Sequence, residues 1–84
     1  MTYRITIKPT ARKELRALPD RILYRVDVAI CPLGSAPRPR GCMKLRGTSL
    51  FRIRVGEYRM LYRVDDQARI VDVVGVGHRR EAYR

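Results

Sequence analysis

Histidine occurs once in this 84-residue chain, at His78, and cysteine twice, at Cys31 and Cys42, with ten residues between them. A single histidine excludes ribonuclease chemistry of the two-histidine kind, in which one imidazole takes a proton and the other gives one. Two thiols and one imidazole fall short of a four-ligand Cys/His zinc site, so no metal is expected, and the thiols read as reduced cysteines of a cytosolic protein. No Gly-rich phosphate loop, Gly-x-Ser-x-Gly elbow or His-Glu-x-x-His helix is present. No apolar run approaches the roughly 18 residues of a membrane span. Met1 to Lys8 alternates polar and apolar residues where a signal peptide is continuously apolar. The expectation is a soluble cytoplasmic protein without a membrane partner.

Length sets a further limit. A domain of 84 residues buries roughly 60% of the surface its unfolded chain exposes. One thin-cored domain spanning 1–84 is therefore expected, without room for a deep cofactor pocket, and no cofactor is assigned. Acidic residues are also scarce: eight stand against nineteen basic ones, for a net charge of +11. The excess is concentrated. From Ser35 to Val64 there are eight basic residues (Arg38, Arg40, Lys44, Arg46, Arg52, Arg54, Arg59, Arg63) and one acid, Glu57. A focused patch of this kind meets phosphate, and nucleic acid is favoured over an anionic membrane because no helix joins a basic face to large exposed apolar residues.

Tyr3, Ile5 and Ile7 alternate with polar residues and predict a strand ended by Pro9. Thr10 is the expected N-cap of a short helix with Ala11, Leu15 and Leu18 on one face and Glu14 in its first turn. Pro19 opens a second helix whose apolar stripe is Ile22, Val26, Ala29 and Leu33. The short connection makes the two an antiparallel hairpin. Residues Gly34 to Gly41 form a Pro/Gly-rich loop. Three strands follow: Leu50 to Val55, Tyr58 to Asp65, and Ala68 to Val76, the last apolar enough to be interior. The fold class predicted is α+β, an antiparallel sheet with an N-terminal strand, a two-helix hairpin on one face and three consecutive C-terminal strands.

Gly56-Glu57 between alternating strands marks a two-residue hairpin turn. That register sets Val55 opposite Tyr58, Arg54 opposite Arg59, Ile53 opposite Met60, Arg52 opposite Leu61 and Phe51 opposite Tyr62. Cross-strand partners share a face. One face then carries Phe51, Ile53, Val55, Tyr58, Met60 and Tyr62 and receives the helices. The other, read as solvated, carries Arg52, Arg54, Arg59 and Arg63 around Leu61. Arg54 and Arg59 oppose each other as like charges, which destabilises a sheet unless an anion lies between them. Gly75 and Gly77 are expected to let the C-terminal tail turn sharply and bring Arg79, Arg80 and Tyr83 to the rim of the basic face.

The order strand, two helices, Lys44-Leu45-Arg46-Gly47, an Arg-rich hairpin with Tyr58-Arg59 through Tyr62-Arg63, and a closing Gly77-His78-Arg79-Arg80 tail resembles the RelE/ParE superfamily of type II toxins. The likeness covers essentially the whole chain. It implies a toxin whose partner is an antitoxin of the RelB kind, encoded beside it. In the RelE branch it implies a metal-independent endoribonuclease acting on mRNA in the ribosome. The branch's functional positions match Arg52 and Arg54 on the first hairpin strand, Arg59 after the turn, and Arg79 and Tyr83 in the tail, with Lys44, Arg46, Arg63 and Arg80 as RNA- or ribosome-binding residues. The ParE branch, which poisons DNA gyrase without catalysis, is the alternative reading, and a non-cleaving RNA-binding module is the third.

The chemistry implied is attack of the 2′-hydroxyl on the adjacent phosphorus, expulsion of the 5′-oxygen and a 2′,3′-cyclic phosphate product. Guanidinium groups do not give up protons near neutrality, so Arg52, Arg54 and Arg59 fit electrostatic clamping of the phosphorane. Tyr83 is the best available base, favoured as phenolate by neighbouring arginines. Arg79 would neutralise the leaving oxygen, and His78 is the fallback acid. So poor a set of acids and bases fits an activity that takes substrate positioning from the ribosome.

Overall fold

A computed structural model describes residues 2–78 of the chain. The N-terminal strand β1 (Arg4–Ile7) leads at once into α1 (Pro9–Arg16), with Pro9 occupying the first helical position and Lys8 the cap. Proline suits that place because its missing N–H would have had no intrahelical acceptor. Thr10 is thus inside the helix rather than its cap, and no acid lies in the first turn. Pro19 caps α2 (Asp20–Ile30), which continues into a 3-10 turn at Cys31–Gly34. Of the predicted stripes Ala11, Leu15, Val26 and Leu33 are buried and Leu18, Ile22 and Ala29 half-buried, and Ile30 joins the buried set.

The remaining strands are β2 (Met43–Lys44), β3 (Phe51–Val55), β4 (Tyr58–Asp65) and β5 (Ile70–His78). They join β1 in one sheet of order β1-β5-β4-β3-β2. β5 is interior, as expected, but the sheet is mixed: β1 runs parallel to β5, with Arg4 opposite Ile70 and Ile7 opposite Val73. The parallel pairing follows from the crossover of β1 through both helices and the hairpin, and the short β2 is an addition to the predicted set. α1 packs on β5 and α2 on β3. Between helices and sheet lie Val55, Met60, Tyr62, Val71, Val73 and Val76, all buried.

The loop after the 3-10 turn is strapped to the sheet. Tyr62 Oη donates to the Pro37 carbonyl at 2.8 Å. Burial raises the Tyr62 pKa above that of a free phenol, with Cys42 adding to the effect. Arg38 lies over the Phe51 ring at 5.4 Å and gives two hydrogen bonds to Asp66, which also accepts from Tyr3 Oη at 2.6 Å. Arg38 belongs to the basic run in sequence, yet its charge is spent on Asp66 rather than on a ligand.

Candidate nucleic-acid interface

The hairpin adopts the predicted register, with Gly56 at φ 60° in the turn and Arg54 paired with Arg59. A non-glycine residue would be strained at that angle. β2 extends the ladder by placing Met43 opposite Arg52 and Lys44 opposite Phe51. Alternation then assigns the faces. Met43, Arg52, Arg54, Arg59, Leu61 and Arg63 share the side away from the helices, and Lys44 falls on the other side with Phe51.

A one-residue bulge in β5 shapes the rest of the site. Tyr62 pairs with Val73 but Leu61 with Gly75, so Val74 is the extra residue. Past the bulge, inside and outside exchange places along β5. Val76 enters the core with Val71 and Val73, Gly77 comes opposite Arg59, and His78 pairs with Tyr58 on the helix side. Glu14 Oε1 accepts the Val76 N–H at 3.0 Å and fastens this stretch to α1. Gly75 and Gly77 are therefore strand residues, not the turn expected of them. A Cβ on Gly77 would meet nothing within 4 Å among the described residues, which leaves open space beside Arg59.

Depth is where the site differs most from expectation. Arg54 and Arg63 are exposed, but Arg52 is only 6% exposed and Arg59 only 7%. The face is thus not uniformly solvated. The opposed Arg54 and Arg59 differ in exposure, one in solvent and the other beneath it. Arg52 Nη2 donates to the thioether sulfur of Met43 at 3.0 Å, while its Nε and Nη1 are buried without a hydrogen-bond acceptor among the described residues. A buried guanidinium so poorly satisfied costs several kcal/mol unless an anion completes it. Arg63 Nε donates to Ser49 Oγ at 3.2 Å.

Arg52, Arg54, Arg59 and Arg63 are thus brought together on one face. Lys44 is not, and Arg46 is exposed in the loop after β2. His78 is turned from the arginines: its ring meets Tyr58 edge-on at 5.6 Å and borders a cavity of about 340 Å³ with Glu14, Ala17 and Leu18. An acid role for His78 among the arginines does not fit this placement. Arg79, Arg80 and Tyr83 lie outside the described residues. Sequence reasoning missed Met43, whose signal was its offset from Arg52 across an expected loop, and Gly77, whose signal was a glycine within an apolar strand.

Among the described residues no group of three or more His, Cys, Asp or Glu side chains could hold a metal ion, and no helix is long and apolar enough to cross a membrane. What the arrangement can do is bind phosphate on a helix-free surface and stabilise added negative charge there.

Comparison with known proteins agrees with this fold. Residues 5–83 match the family model of the ParE toxin of the type II toxin-antitoxin system parDE. The chain is 40% identical to Toxin RelG of Mycobacterium tuberculosis, an alignment covering 100% of this chain and 99% of that protein. Among solved structures, the toxin–antitoxin complex RelBE2 from M. tuberculosis contains a chain 36% identical, with a TM-score of 0.81 over 93% of this chain and 99% of the other. The archaeal RelE–RelB complex from Pyrococcus horikoshii OT3 contains one 31% identical, with a TM-score of 0.84 over 96% and 99%. With an α+β sheet of this order and matches spanning nearly its whole length, the chain belongs to the RelE/ParE superfamily of type II toxins.

Proposed function

We propose that this toxin is a metal-independent endoribonuclease that cuts ribosome-bound mRNA on the arginine face. The observation that carries the reading is Arg52, whose guanidinium is buried beside the exposed Arg54 with Nε and Nη1 lacking acceptors among the described residues. A scissile phosphate supplies the missing acceptors, and the charge gained in the phosphorane strengthens every contact in the transition state. Arg52 and Arg59 clamp the non-bridging oxygens and Arg54 steers the backbone. The 2′-hydroxyl attacks phosphorus as its proton passes to Tyr83, and the 5′-oxygen leaves against Arg79, giving a 2′,3′-cyclic phosphate. Arg63, Arg46, Lys44 and Arg80 contact ribosomal or messenger phosphates. The solved relatives named above are complexes with RelB, and the partner proposed here is likewise an antitoxin that covers or neutralises the arginine face.

The family model carries the name of the ParE toxin, which favours gyrase inhibition as the second reading. Primer extension on mRNA from cells expressing the chain, with a gyrase supercoiling assay beside it, separates the two. Discrete cuts that vanish when the nucleotide 5′ of the scissile phosphate is 2′-deoxy support transesterification. Cuts that survive that substitution, or inhibition of supercoiling without cuts, overturn it.

A further inference from the structure

Arg52 has an unusual companion. Among the described residues its one side-chain hydrogen-bond acceptor is the Met43 sulfur at 3.0 Å, delivered by a strand of two residues whose pairing places Met43 directly opposite Arg52. Met43 is 56% exposed, so core packing does not account for its position, whereas Met60, on the other face, is wholly buried. A thioether is a weak, uncharged acceptor. It can orient a guanidinium through one nitrogen without cancelling its charge, which a carboxylate at the same place would do. Among the described residues Nε and Nη1 are left without acceptors in a residue only 6% exposed.

We propose that Met43 is a positioning residue of the phosphate site: its sulfur holds Arg52 by Nη2 and so presents the other nitrogens for phosphate oxygens. This deepens the reading of the face as an RNA-phosphate site and rests on it. β2 gains a purpose by the same argument, since two ladder residues add little stability but fix the offset of Met43 from Arg52. The arrangement is preorganisation: an arginine already restrained by its neighbour loses less rotamer freedom on binding.

The test uses a 2′-O-methyl oligoribonucleotide, which keeps the phosphates but lacks the nucleophile, so the outcome does not depend on cleavage. Affinity is measured at fixed low salt for the wild type, Met43→Leu, Arg52→Met and the double variant. Met43→Leu should weaken binding about fivefold, the scale of one hydrogen bond, with unchanged thermal stability because the residue is exposed. The same change in the Arg52→Met background should have no further effect. Met43→Gln, which restores a neutral acceptor, should recover binding to near wild type, and Met43→Glu, which pairs with Arg52, should weaken it more than leucine does. An equal loss in both backgrounds, or no loss with leucine while the wild type binds, overturns the role of Met43 and leaves the RNA reading standing. Absence of wild-type binding overturns both.

Discussion

The two ends of the sheet treat charge in opposite ways. At the β4–β5 end, Lys8 pairs with Asp72 at 3.3 Å, Thr6 donates to the same carboxylate, and Arg38 pairs with Asp66 at 2.7 Å. These residues or their neighbours border an open cavity of about 900 Å³ with Ile70, Asp65 and Arg63. At the hairpin end no carboxylate among the described residues pairs with Arg52 or Arg54. Charges matched inside the chain act on the fold. Charges left unmatched are held for something outside it, at a cost in stability that the rest of the core offsets.

If that contrast is right, substitutions at the hairpin end should separate activity from stability. Arg52→Met and Arg54→Ala should each lower mRNA cleavage on the order of 10² to 10³, the scale of a lost electrostatic donor. Arg52→Met should also melt no lower than the wild type, because an apolar side chain of similar volume removes a poorly satisfied buried cation. Primer extension and thermal melting read the two quantities. A collapse of melting temperature in Arg52→Met would show that its guanidinium has a structural role and would erase the contrast.

Gly77→Val fills the space beside Arg59 with a residue that favours strands. Activity should fall by roughly tenfold, as misplacing a substrate commonly does, while melting stays level. Equal losses of both would mean that the glycine serves the fold. Salt dependence sharpens the comparison further. The log–log slope for binding single-stranded RNA should become shallower by about 0.7 in Arg54→Ala, one neutralised phosphate. Arg38→Ala at the opposite end should leave the slope unchanged.

The smallest effect concerns acid stability. The hydrogen bond from Arg38, followed by that from Tyr3, lowers the Asp66 pKa below its ordinary value. A depressed carboxylate contributes stability above its unfolded pKa and loses it as pH falls through the lower folded value. Asp66→Asn should therefore flatten the acid limb of a melting-temperature profile below about pH 4 and leave cleavage at neutral pH untouched. An unchanged limb would show that the exposed contact is too well screened to matter.

How much of this was legible in the residues differs from element to element. Gly56-Glu57 between alternating strands specified the hairpin to the residue, because a two-residue turn leaves one register and the apolar set allows only one inward face. The helical stripes were legible for the same reason. The parallel pairing of β1 was not, since Arg4 and Ile70 have no local relation. Alternation assigns a side chain to a face but says nothing of its depth, so Arg52 and Arg59 read as solvated when they are buried. The basic run from Arg38 to Arg63 looked like one patch, yet Arg38 is bound to Asp66 and Lys44 faces away. Linear charge density cannot see the sheet that divides it.

The extra residue at Val74 works as a parity bit. Were Val74 paired with Leu61 in a regular ladder, every later residue of β5 would move back by one partner: Val76 would come opposite Arg59, Gly77 opposite Tyr58, and His78 would turn to the arginine side one step beyond. Loss of the bulge by a slip of the ladder, with the residue count unchanged, would thus bring a titratable group to the arginine side at the end of β5, whereas deleting Val74 would leave the faces as they are. Within this fold, the repertoire of acids and bases available to the arginines is open to change through strand phase as well as through substitution.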